Sequence, residues 1–299
     1  MLEIKKYGAI DIGSNAIRLL VSNVIIDKEK EPQFKKSALI RVPIRLGADA
    51  FVGNCEISKD NISRMIDAME AFKLLMKVHK VDRYKACATS AMREASNGKQ
   101  VIEEILEKTG VKIDIIGGKE EAAIISSTDL NQLIQGDNSY LYVDVGGGST
   151  EFTIFSKGRI IISKSFKMGT VRLLNNKKAV NKEIFSEVEK WIKKNTKDLK
   201  KLSLIGSGGN INKLFKMSGR TEGKPMSYIY LNAQYQFLKQ MSYQERISEL
   251  SLNPDRADVI IPATKIYLSA MKWSQARKIY VPKIGLSDGI IKSLFYSKI

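Results

Sequence analysis

Asp11-Ile12-Gly13-Ser14-Asn15 and Asp144-Val145-Gly146-Gly147-Gly148-Ser149 are two copies of one pattern in a chain of 299 residues. In each copy a strand-like apolar run precedes the aspartate and a second strand-like run follows the small residues, which predicts a β-hairpin. Glycine and small polar residues at the tip let the backbone point successive N–H groups at an oxyanion. The repeat therefore predicts two related half-molecules that face each other, each with a phosphate-binding loop.

The aspartate before each tip constrains the ligand. A carboxylate repels phosphate, so its position makes sense if a divalent cation, through water, or a reacting water lies between the two. Asp-x-Gly as ordinary hairpin chemistry explains a single copy equally well. Two matched copies favour the ligand interpretation, and specifically a polyphosphorylated ligand.

The composition is that of a globular protein with room for two domains, since 43% of the residues are hydrophobic and 27% are charged. Lysine and arginine outnumber aspartate and glutamate by 49 to 32, a formal charge of +17. This excess favours polyanionic partners such as nucleic acid, acidic membrane or phosphate polymers. The local runs at Lys35-Lys36, Lys177-Lys178 and 193–201 fit solvated helix faces as well as a ligand track.

Cysteine and histidine usage removes several classes of enzyme. Cys55 and Cys87 have no metal or redox spacing and indicate buried thiols in a reducing compartment. The one histidine, His79, rules out a His-dependent hydrolase and a His-ligated metal centre. The N-terminus shows no signal-peptide pattern and no apolar segment approaches membrane-spanning length, so we expect a cytoplasmic protein without a membrane partner.

The order of elements also repeats. The first half predicts three strands, then a helix that opens at Ser58, and further strands and helices that end with Gly117-Gly118 and a helix through Glu121. The second half predicts three strands, a long helix over about 182–200, and a third glycine turn before another helix, whose N-terminus could face a ligand. We expect domains at 1–124 and 125–299, with the option that the C-terminal helix packs back on the first.

Five motifs carry a resemblance to a known family: Ala9-Ile10-Asp11-Ile12-Gly13-Ser14-Asn15, Ala88-Thr89-Ser90-Ala91-Met92-Arg93-Glu94-Ala95, Glu120-Glu121-Ala122, Val143-Asp144-Val145-Gly146-Gly147-Gly148-Ser149-Thr150-Glu151 and Asp255-Arg256-Ala257-Asp258. Their order and spacing resemble the exopolyphosphatase/guanosine pentaphosphate phosphatase family, within the actin, sugar-kinase and heat-shock-70 superfamily. The resemblance covers almost the whole chain. It implies an α/β fold of two ribonuclease-H-like domains, each with a mixed five-stranded sheet flanked by helices, and an active site in the cleft between them.

The resemblance implies hydrolysis of a terminal phosphoanhydride with release of orthophosphate, and Mg²⁺ as the cofactor. The expected substrate is inorganic polyphosphate or guanosine pentaphosphate (pppGpp), with no nucleic-acid partner and with a homodimer as an option. Longer members of the family append a helical domain that resembles HD phosphohydrolases. This sequence stops before such a domain, which leaves the handling of very long polyphosphate open.

The resemblance also implies roles for the acidic residues. Glu121 is the general base; a carboxylate that stabilises the helix dipole is the alternative, and Glu120 can fill that role. Asp144, with Asp11, holds Mg²⁺ or its water shell, which is compatible with capping of the turn. Glu151 lies on the same strand face as Ser149 and orients water or metal, with an exposed strand carboxylate as the alternative.

Phosphate would be bound by backbone N–H groups of the two tips and by arginines. Arg93 suits a phosphate at the reacting end because its planar fork matches the oxygens. Arg18 needs either phosphate or an acidic neighbour, and Arg256 either contacts substrate or pairs with Asp258. The remaining binding residues would be Gly13, Ser14, Asn15, Gly146, Gly147, Gly148 and Ser149, with Gly206, Gly208 and Gly209 of the third turn receiving guanosine or further phosphate.

Two other functions compete with this hypothesis. An ATP-dependent kinase of the same superfamily would need a catalytic aspartate for a substrate hydroxyl in the first domain, where this chain offers Glu121 and Arg93. A regulator that binds polyanions without catalysis also fits the basic composition, because electrostatic binding needs no chemistry.

Overall fold

The computed structural model describes residues 2–126, 128, 134 and 138–296. The chain forms two compact units, one of Met1–Thr128 together with Leu286–Ile299, and one of Asp129–Gly285. The domain boundary expected from the sequence was after residue 124, with the C-terminal helix free to pack on the first domain. In the structure that helix is part of the first unit, where the rings of Tyr7 and Phe295 meet edge to face at 6.3 Å.

The sheet of the first unit has five strands in the order β3-β2-β1-β4-β5. The first three pair antiparallel, and β4 and β5 run parallel to β1. The strands are β1 (Glu3–Ile12), β2 (Ile17–Ile26), β3 (Gln33–Val42), β4 (Arg83–Ala88) and β5 (Ile113–Ile115). The first predicted hairpin tip is the β1–β2 turn, and it lies at the edge of the sheet where the parallel strands end.

The helices of the first unit are α1 (Leu46–Ala50), α2 (Lys59–Val78), α3 (Ser90–Glu94), α4 (Gly98–Thr109), α5 (Gly118–Ser126) and α13 (Leu286–Phe295). Helix α2 begins where the sequence predicts, because the Ser58 hydroxyl accepts a hydrogen bond from the Asn61 N–H at 3.4 Å. Its buried residues recur every three or four positions and share a core with strand residues such as Ile10 and Leu19. The helix therefore covers one face of the sheet.

The sheet of the second unit repeats the arrangement of the first. Strands β6 (Ser139–Val145), β7 (Thr150–Ser156) and β8 (Arg159–Phe166) pair antiparallel, and β9 (Leu202–Ser207) and β11 (Lys278–Tyr280) run parallel to β6. The order is β10-β11-β9-β6-β7-β8. A two-residue strand, β10 (Met226–Ser227), makes this a sheet of six strands, where the resemblance implied five. The mixed sheets expected from the sequence are confirmed.

The helices of the second unit are α6 (Thr170–Asn175), α7 (Lys178–Thr196), α8 (Gly209–Met217), α9 (Tyr228–Gln240), α10 (Tyr243–Ser248), α11 (Pro254–Ala257) and α12 (Ile260–Trp273). Helix α7 lies four residues before the predicted range at each end, because exposed lysines at both ends give no periodic signal for a boundary. Its buried residues Val188 and Ile192 join a core with Phe152 and Phe166. Within the described residues, no helix has the length and apolar character needed to cross a membrane.

Candidate functional site

The first hairpin tip is a closed turn held by its neighbours. The Gly13 N–H bonds the Ala16 carbonyl at 3.2 Å, and the Ser14 carbonyl accepts from the Gly47 N–H of α1 at 2.8 Å. The Ser14 hydroxyl lies 2.9 Å from that of Ser90, the first residue of α3. The backbone N–H of Ser14 has no hydrogen-bond partner among the described residues, so it remains available to an anion.

Asp11 precedes this tip and forms an ion pair. Its Oδ2 lies 3.0 Å from Nη1 of Arg18, directly opposite on β2. The side chain of Asp11 is 8% exposed and that of Arg18 is 35% exposed. Of the two partners left open for Arg18, the structure therefore provides the acidic neighbour. A guanidinium beside the carboxylate offsets the charge that Asp11 would offer to a cation.

Arg93 contacts the segment that leads to Glu121. Its Nη1 donates to the Ile116 carbonyl at 2.7 Å, and the Ile116 N–H bonds the Ala88 carbonyl at 3.0 Å. The glycines Gly117 and Gly118 follow Ile116 directly and open α5. Arg93 therefore fixes the start of the helix that carries the candidate base.

The two glutamates at the start of α5 have different environments. Glu120 is exposed, whereas Glu121 is buried, with 9% of its surface accessible. The Glu121 N–H bonds the Gly117 carbonyl at 2.9 Å, which places the residue in the first turn. Glutamate is almost never fully buried unless it is paired, whereas a carboxylate that stabilises a helix dipole needs no burial. Burial therefore separates the environment of Glu121 from that of Glu120, and the role of Glu121 as general base stays a prediction.

The second hairpin tip packs against the N-terminus of α6 and Gly169, which precedes that helix. The Gly146 N–H closes the turn on the Ser149 carbonyl at 3.0 Å, and the Gly146 and Gly147 carbonyls accept from the N–H groups of Thr170 and Val171. A Cβ on Gly169 would lie 2.3 Å from backbone atoms of Gly147, so the two backbones touch. Within the described part of the chain, the backbone N–H groups of Gly147, Gly148 and Ser149 have no hydrogen-bond partner.

Asp144 is surrounded by hydroxyl groups. Its Oδ2 accepts from the Tyr142 hydroxyl at 3.2 Å and lies 3.1 Å from the Ser207 hydroxyl. The Ser207 hydroxyl is also 2.8 Å from the Ile284 carbonyl, so it can donate its single proton to only one of these two acceptors at a time. The Tyr267 hydroxyl donates to the Ser207 carbonyl. Burial, and secondly the Asp144 charge, raises the pKa of both Tyr142 and Tyr267 well above the usual range, so the hydroxyls around Asp144 stay neutral.

Glu151 lies beside Asp144 and is also held by hydroxyls. It stands opposite Asp144 in the β6–β7 register and is 2% exposed. Its Oε1 accepts from Ser149 at 2.7 Å and from Ser165 at 2.9 Å. The bond from Ser149 agrees with the prediction that both residues share a strand face. The alternative of an exposed strand carboxylate is wrong for Glu151, because its side chain is buried.

The third glycine turn joins β9 to α8 next to Asp144. Gly208 has φ 117°, which strains any other residue, and a Cβ there would lie 2.9 Å from the Val145 carbonyl and 3.6 Å from Oδ1 of Asp144. Gly209 begins α8. Arg256, in α11, lies close enough to α8 that its charge, after burial and Lys216, lowers the pKa of Lys213. The turn therefore meets both the Asp144 loop and a basic cluster.

The structure thus groups the predicted residues within each unit. Asp144, Glu151, the second tip and Gly208 lie together in the second unit, and Asp11, Arg18 and the first tip lie together in the first unit. Three contributors were missed by sequence reasoning. Tyr142 had a signal, because it lies two residues before Asp144 on the same strand face, whereas the roles of Ser207 and Gly169 depend on contacts between distant segments.

The fold is that of a two-domain protein of the actin-like class, built from two mixed sheets that each carry a glycine-containing hairpin tip. A family model described as the Ppx/GppA phosphatase family matches residues 25–298. The chain belongs to the Ppx/GppA phosphatase family, and the resemblance noted in the sequence is confirmed.

Known proteins agree with this assignment. The chain is 31% identical over 286 residues to a bifunctional 3-dehydroquinate synthase/phosphatase of Fusobacterium nucleatum, covering 86% of this chain and 42% of the length of that relative. A crystal structure of an exopolyphosphatase from Cytophaga hutchinsonii matches with a TM-score of 0.85 at 23% identity, over 98% of both chains. The Aquifex aeolicus member of the Ppx/GppA family matches with a TM-score of 0.78 at 23% identity, over 99% of both chains.

Proposed function

We propose that this protein is a Mg²⁺-dependent exopolyphosphatase that hydrolyses the terminal phosphoanhydride of inorganic polyphosphate and releases orthophosphate. Membership of a phosphatase family supports a hydrolase. The unpartnered N–H groups of the two tips support a ligand with several phosphates, because backbone donors are neutral and bind phosphate oxygens without a counter-charge.

One observation carries the metal-dependent chemistry: two carboxylates, the partly buried Asp144 and the buried Glu151, stand opposite each other on neighbouring strands. Asp144 and Glu151 are a cross-strand pair, and like charges in such a pair destabilise a sheet. Both carboxylates accept hydrogen bonds from neutral hydroxyl groups. A cation between substrate phosphates and this pair would remove the repulsion.

The donor set fits Mg²⁺, which prefers oxygen ligands and usually keeps several waters beside one or two carboxylates. Among the described residues no group of three or more histidine, cysteine, aspartate or glutamate side chains could hold a metal ion. Asp144, with Glu151 beside it, would hold Mg²⁺ here. The ion would neutralise charge on the phosphates of the substrate.

The chain's own residues supply the rest of the reaction. Glu121 accepts a proton from the attacking water as its oxygen bonds the terminal phosphorus, and the bond between that phosphorus and the bridging oxygen breaks. The backbone N–H groups left open at the tips, of Ser14 in one and of Gly147, Gly148 and Ser149 in the other, stabilise the charge on the phosphoryl oxygens. Arg93 positions α5 through its bond to the Ile116 carbonyl.

The test is phosphate release from polyphosphates of defined length and from pppGpp, with Mg²⁺ and equal enzyme. Glu121→Gln should lower release by roughly 10²-fold or more while polyphosphate binding is retained, the usual scale for loss of a general base. Glu120→Gln is the matched control, because Glu120 is the exposed neighbour on the same helix turn, and should release phosphate as the wild type does.

Equal release by wild type and Glu121→Gln would refute the role of Glu121. Consumption of ATP only with an added acceptor, with polyphosphate left intact, would indicate a kinase, and binding without release would indicate a regulator. Preference for pppGpp over polyphosphate would keep the chemistry and change the substrate, since both end in a phosphoanhydride.

A further inference from the structure

A cavity of about 830 Å³ opens in the second unit, at the edge of the sheet where β6, β9 and β11 begin. The second hairpin tip and Asp144 lie where the same parallel strands end. Strand β6 has seven residues, so the two edges are roughly 20 Å apart at about 3.3 Å per residue. The cavity is therefore separate from the candidate active site, and its size is in the range of ligand sites.

The walls of this basic cavity carry one sign of charge. Six of its lining residues are cationic and none of the described lining residues is acidic; the cations are Lys193, Lys197, Lys201, Lys272, Arg277 and Lys278. Lys193 pairs with Glu189 at 2.6 Å, and Lys197 lies 3.9 Å from the highly exposed Asp198. The other four form no ion pair with any carboxylate in the described ranges.

Helix ends explain only some of the cationic residues that line the cavity. Helices α7 and α12 end at the cavity, and cations in a last turn, such as Lys193 and Lys272, stabilise the helix dipole. Lys201 precedes β9, and Arg277 and Lys278 stand at the start of the adjacent strand β11, where no helix ends. Adjacent strands are about 4.8 Å apart, so these three cations begin neighbouring strands at one edge of the sheet, where one anion can contact several of them.

Three aromatic side chains, Tyr140, Tyr280 and Trp273, line the cavity together with small polar residues such as Ser203 and are called its aromatic floor below. The rings of Tyr140 and Tyr280 meet edge to face at 6.4 Å, and Trp273 packs edge to face on Phe185 at 6.0 Å. The cavity therefore combines cationic side chains with aromatic rings that pack on one another or on the core.

We propose that the basic cavity is a second anion site, which binds a short phosphate chain. Inorganic polyphosphate and the phosphate tail of a nucleotide share this chemistry. Several neighbouring cations bind several linked phosphates better than separate ones, because each added contact costs no further loss of free motion. The site needs no hydrolysis and is independent of the roles of Glu121 and Asp144.

The proposal is tested by calorimetric titration of the full chain with tripolyphosphate. EDTA is present to remove Mg²⁺, so that hydrolysis does not contribute to the measured heat. In the variant K201Q/R277Q/K278Q we expect one binding site to be lost, or its Kd to rise at least about tenfold. This is the effect expected when hydrogen bonds between charged groups are removed. The matched control K77Q/K99Q/K112Q removes the same charge from exposed lysines of the first unit and should bind as the wild type does.

Tryptophan fluorescence locates the site, because the chain has two tryptophans and only Trp273 lines the cavity. Tripolyphosphate should change the fluorescence of the wild type and of Trp191→Phe, and should not change that of Trp273→Phe. Titrations with ATP and GTP separate the sources: affinities equal to that of tripolyphosphate indicate recognition of phosphates alone, and tighter binding indicates a nucleotide whose base contacts the aromatic floor.

The proposal fails if the cavity variant and its control bind tripolyphosphate alike, or if the Trp273 signal does not respond. Binding of an RNA oligomer at Trp273 in the absence of any response to tripolyphosphate would also overturn it. Phosphate release by K201Q/R277Q/K278Q from a short polyphosphate should match the wild type. Tripolyphosphate binding therefore tests the cavity, and phosphate release separately tests the proposed hydrolase.

Discussion

The two hairpin tips share one sequence pattern and differ in what stands beside the aspartate. In the first unit Asp11 has Arg18 opposite on one neighbouring strand and Cys87 opposite on the other. In the second unit the corresponding positions beside Asp144 hold an acid and a hydroxyl, Glu151 and Ser207. The first aspartate therefore forms an ion pair with the residue opposite it, whereas the second accepts hydrogen bonds from hydroxyl groups and has an acid opposite it.

This difference separates two roles that the repeated sequence suggests for both copies. An ion pair such as that of Asp11 and Arg18 holds the hairpin and leaves little net charge for a metal. Hydroxyl donors orient Asp144 without cancelling its charge. We therefore expect the second copy to attract the metal and the first to act through its backbone.

The largest expected effect comes from neutralising each aspartate in turn. Asp144→Asn keeps the shape and the hydroxyl contacts but removes the charge, and should lower phosphate release on the order of 10²-fold, because a bound metal supplies several kcal/mol of stabilisation. Asp11→Asn should lower it far less. Mg²⁺ titrations of both variants check this, with the midpoint displaced to higher concentration only for Asp144→Asn.

Asp11→Asn also leaves Arg18 without its partner, so a rate loss in that variant has two sources. The double variant D11N/R18Q removes both charges and should recover most of the wild-type rate if the pair is structural. Equal displacement of the Mg²⁺ midpoint by Asp11→Asn and Asp144→Asn would show that both copies contact the metal and would contradict the distinction drawn between them.

The second expected effect concerns how each tip is held. Helix α1 supports the first tip through the Gly47 N–H, and the first turn of α6 supports the second through Thr170 and Val171. A Cβ on Gly169 would meet backbone atoms at 2.3 Å, whereas one on Gly47 would meet the mobile end of the Phe51 ring at 2.7 Å. Gly169→Ala should destabilise the protein by about 2 kcal/mol, the usual cost of overpacking, and Gly47→Ala by less than about 1 kcal/mol.

Urea unfolding followed by circular dichroism measures both alanine variants. The order of the two effects matters more than their size, because a side chain can rotate and a packed backbone segment has to shift as a whole. If Gly47→Ala proves the more damaging variant, then the second tip is less tightly packed than these contacts indicate.

Local pattern was enough to predict the duplicated fold. The strand runs on both sides of each Asp-x-Gly tip specify hairpins, and the Ser58 cap and the spacing of Met65, Met69 and Phe72 specify α2. These signals depend on neighbours in sequence. The sixth strand β10 and the ends of α7 were not predicted, since two residues are too short for a pattern and lysine-rich ends have no periodicity.

The sequence predicted which residues form the candidate site, but only some of the contacts between them. Alternation correctly placed Ser149 and Glu151 on one face, because two positions on one strand are enough to fix that relation. The partner of Arg18 stayed open until the β1–β2 register was known. The contacts of Ser207 and Gly169 join segments dozens of residues apart, and no single sequence encodes such a contact locally.

The smallest expected effect is a pH dependence that belongs to the first copy alone. Burial raises the pKa of the Cys87 thiol to about 12, with the charges of Asp114 and Asp11 adding to the shift. The unfolded chain releases this proton near its ordinary pKa of about 8.5. Above that pH the unfolded state is therefore favoured, and the free energy of unfolding falls by about 1.4 kcal/mol per pH unit until the folded thiol also titrates.

Ser207 stands at the position of Cys87 in the second copy and has no thiol to titrate. Burial raises the pKa of Tyr142 and Tyr267, but the unfolded tyrosines titrate only near pH 10, so these two residues begin to lower the stability only above that pH. Between pH 8.5 and 9.5 the wild type should lose about 1 kcal/mol of stability that Cys87→Ala does not lose, because the unfolded thiol is only half ionised at the start of this interval. Cys55→Ala is the control, because its thiol is only partly buried and the loss should persist. If the free energy of unfolding falls with pH equally in the wild type and in Cys87→Ala, then Cys87 titrates normally in the folded protein. In that case the two copies differ in the charge beside the aspartate and not in the effect of burial there.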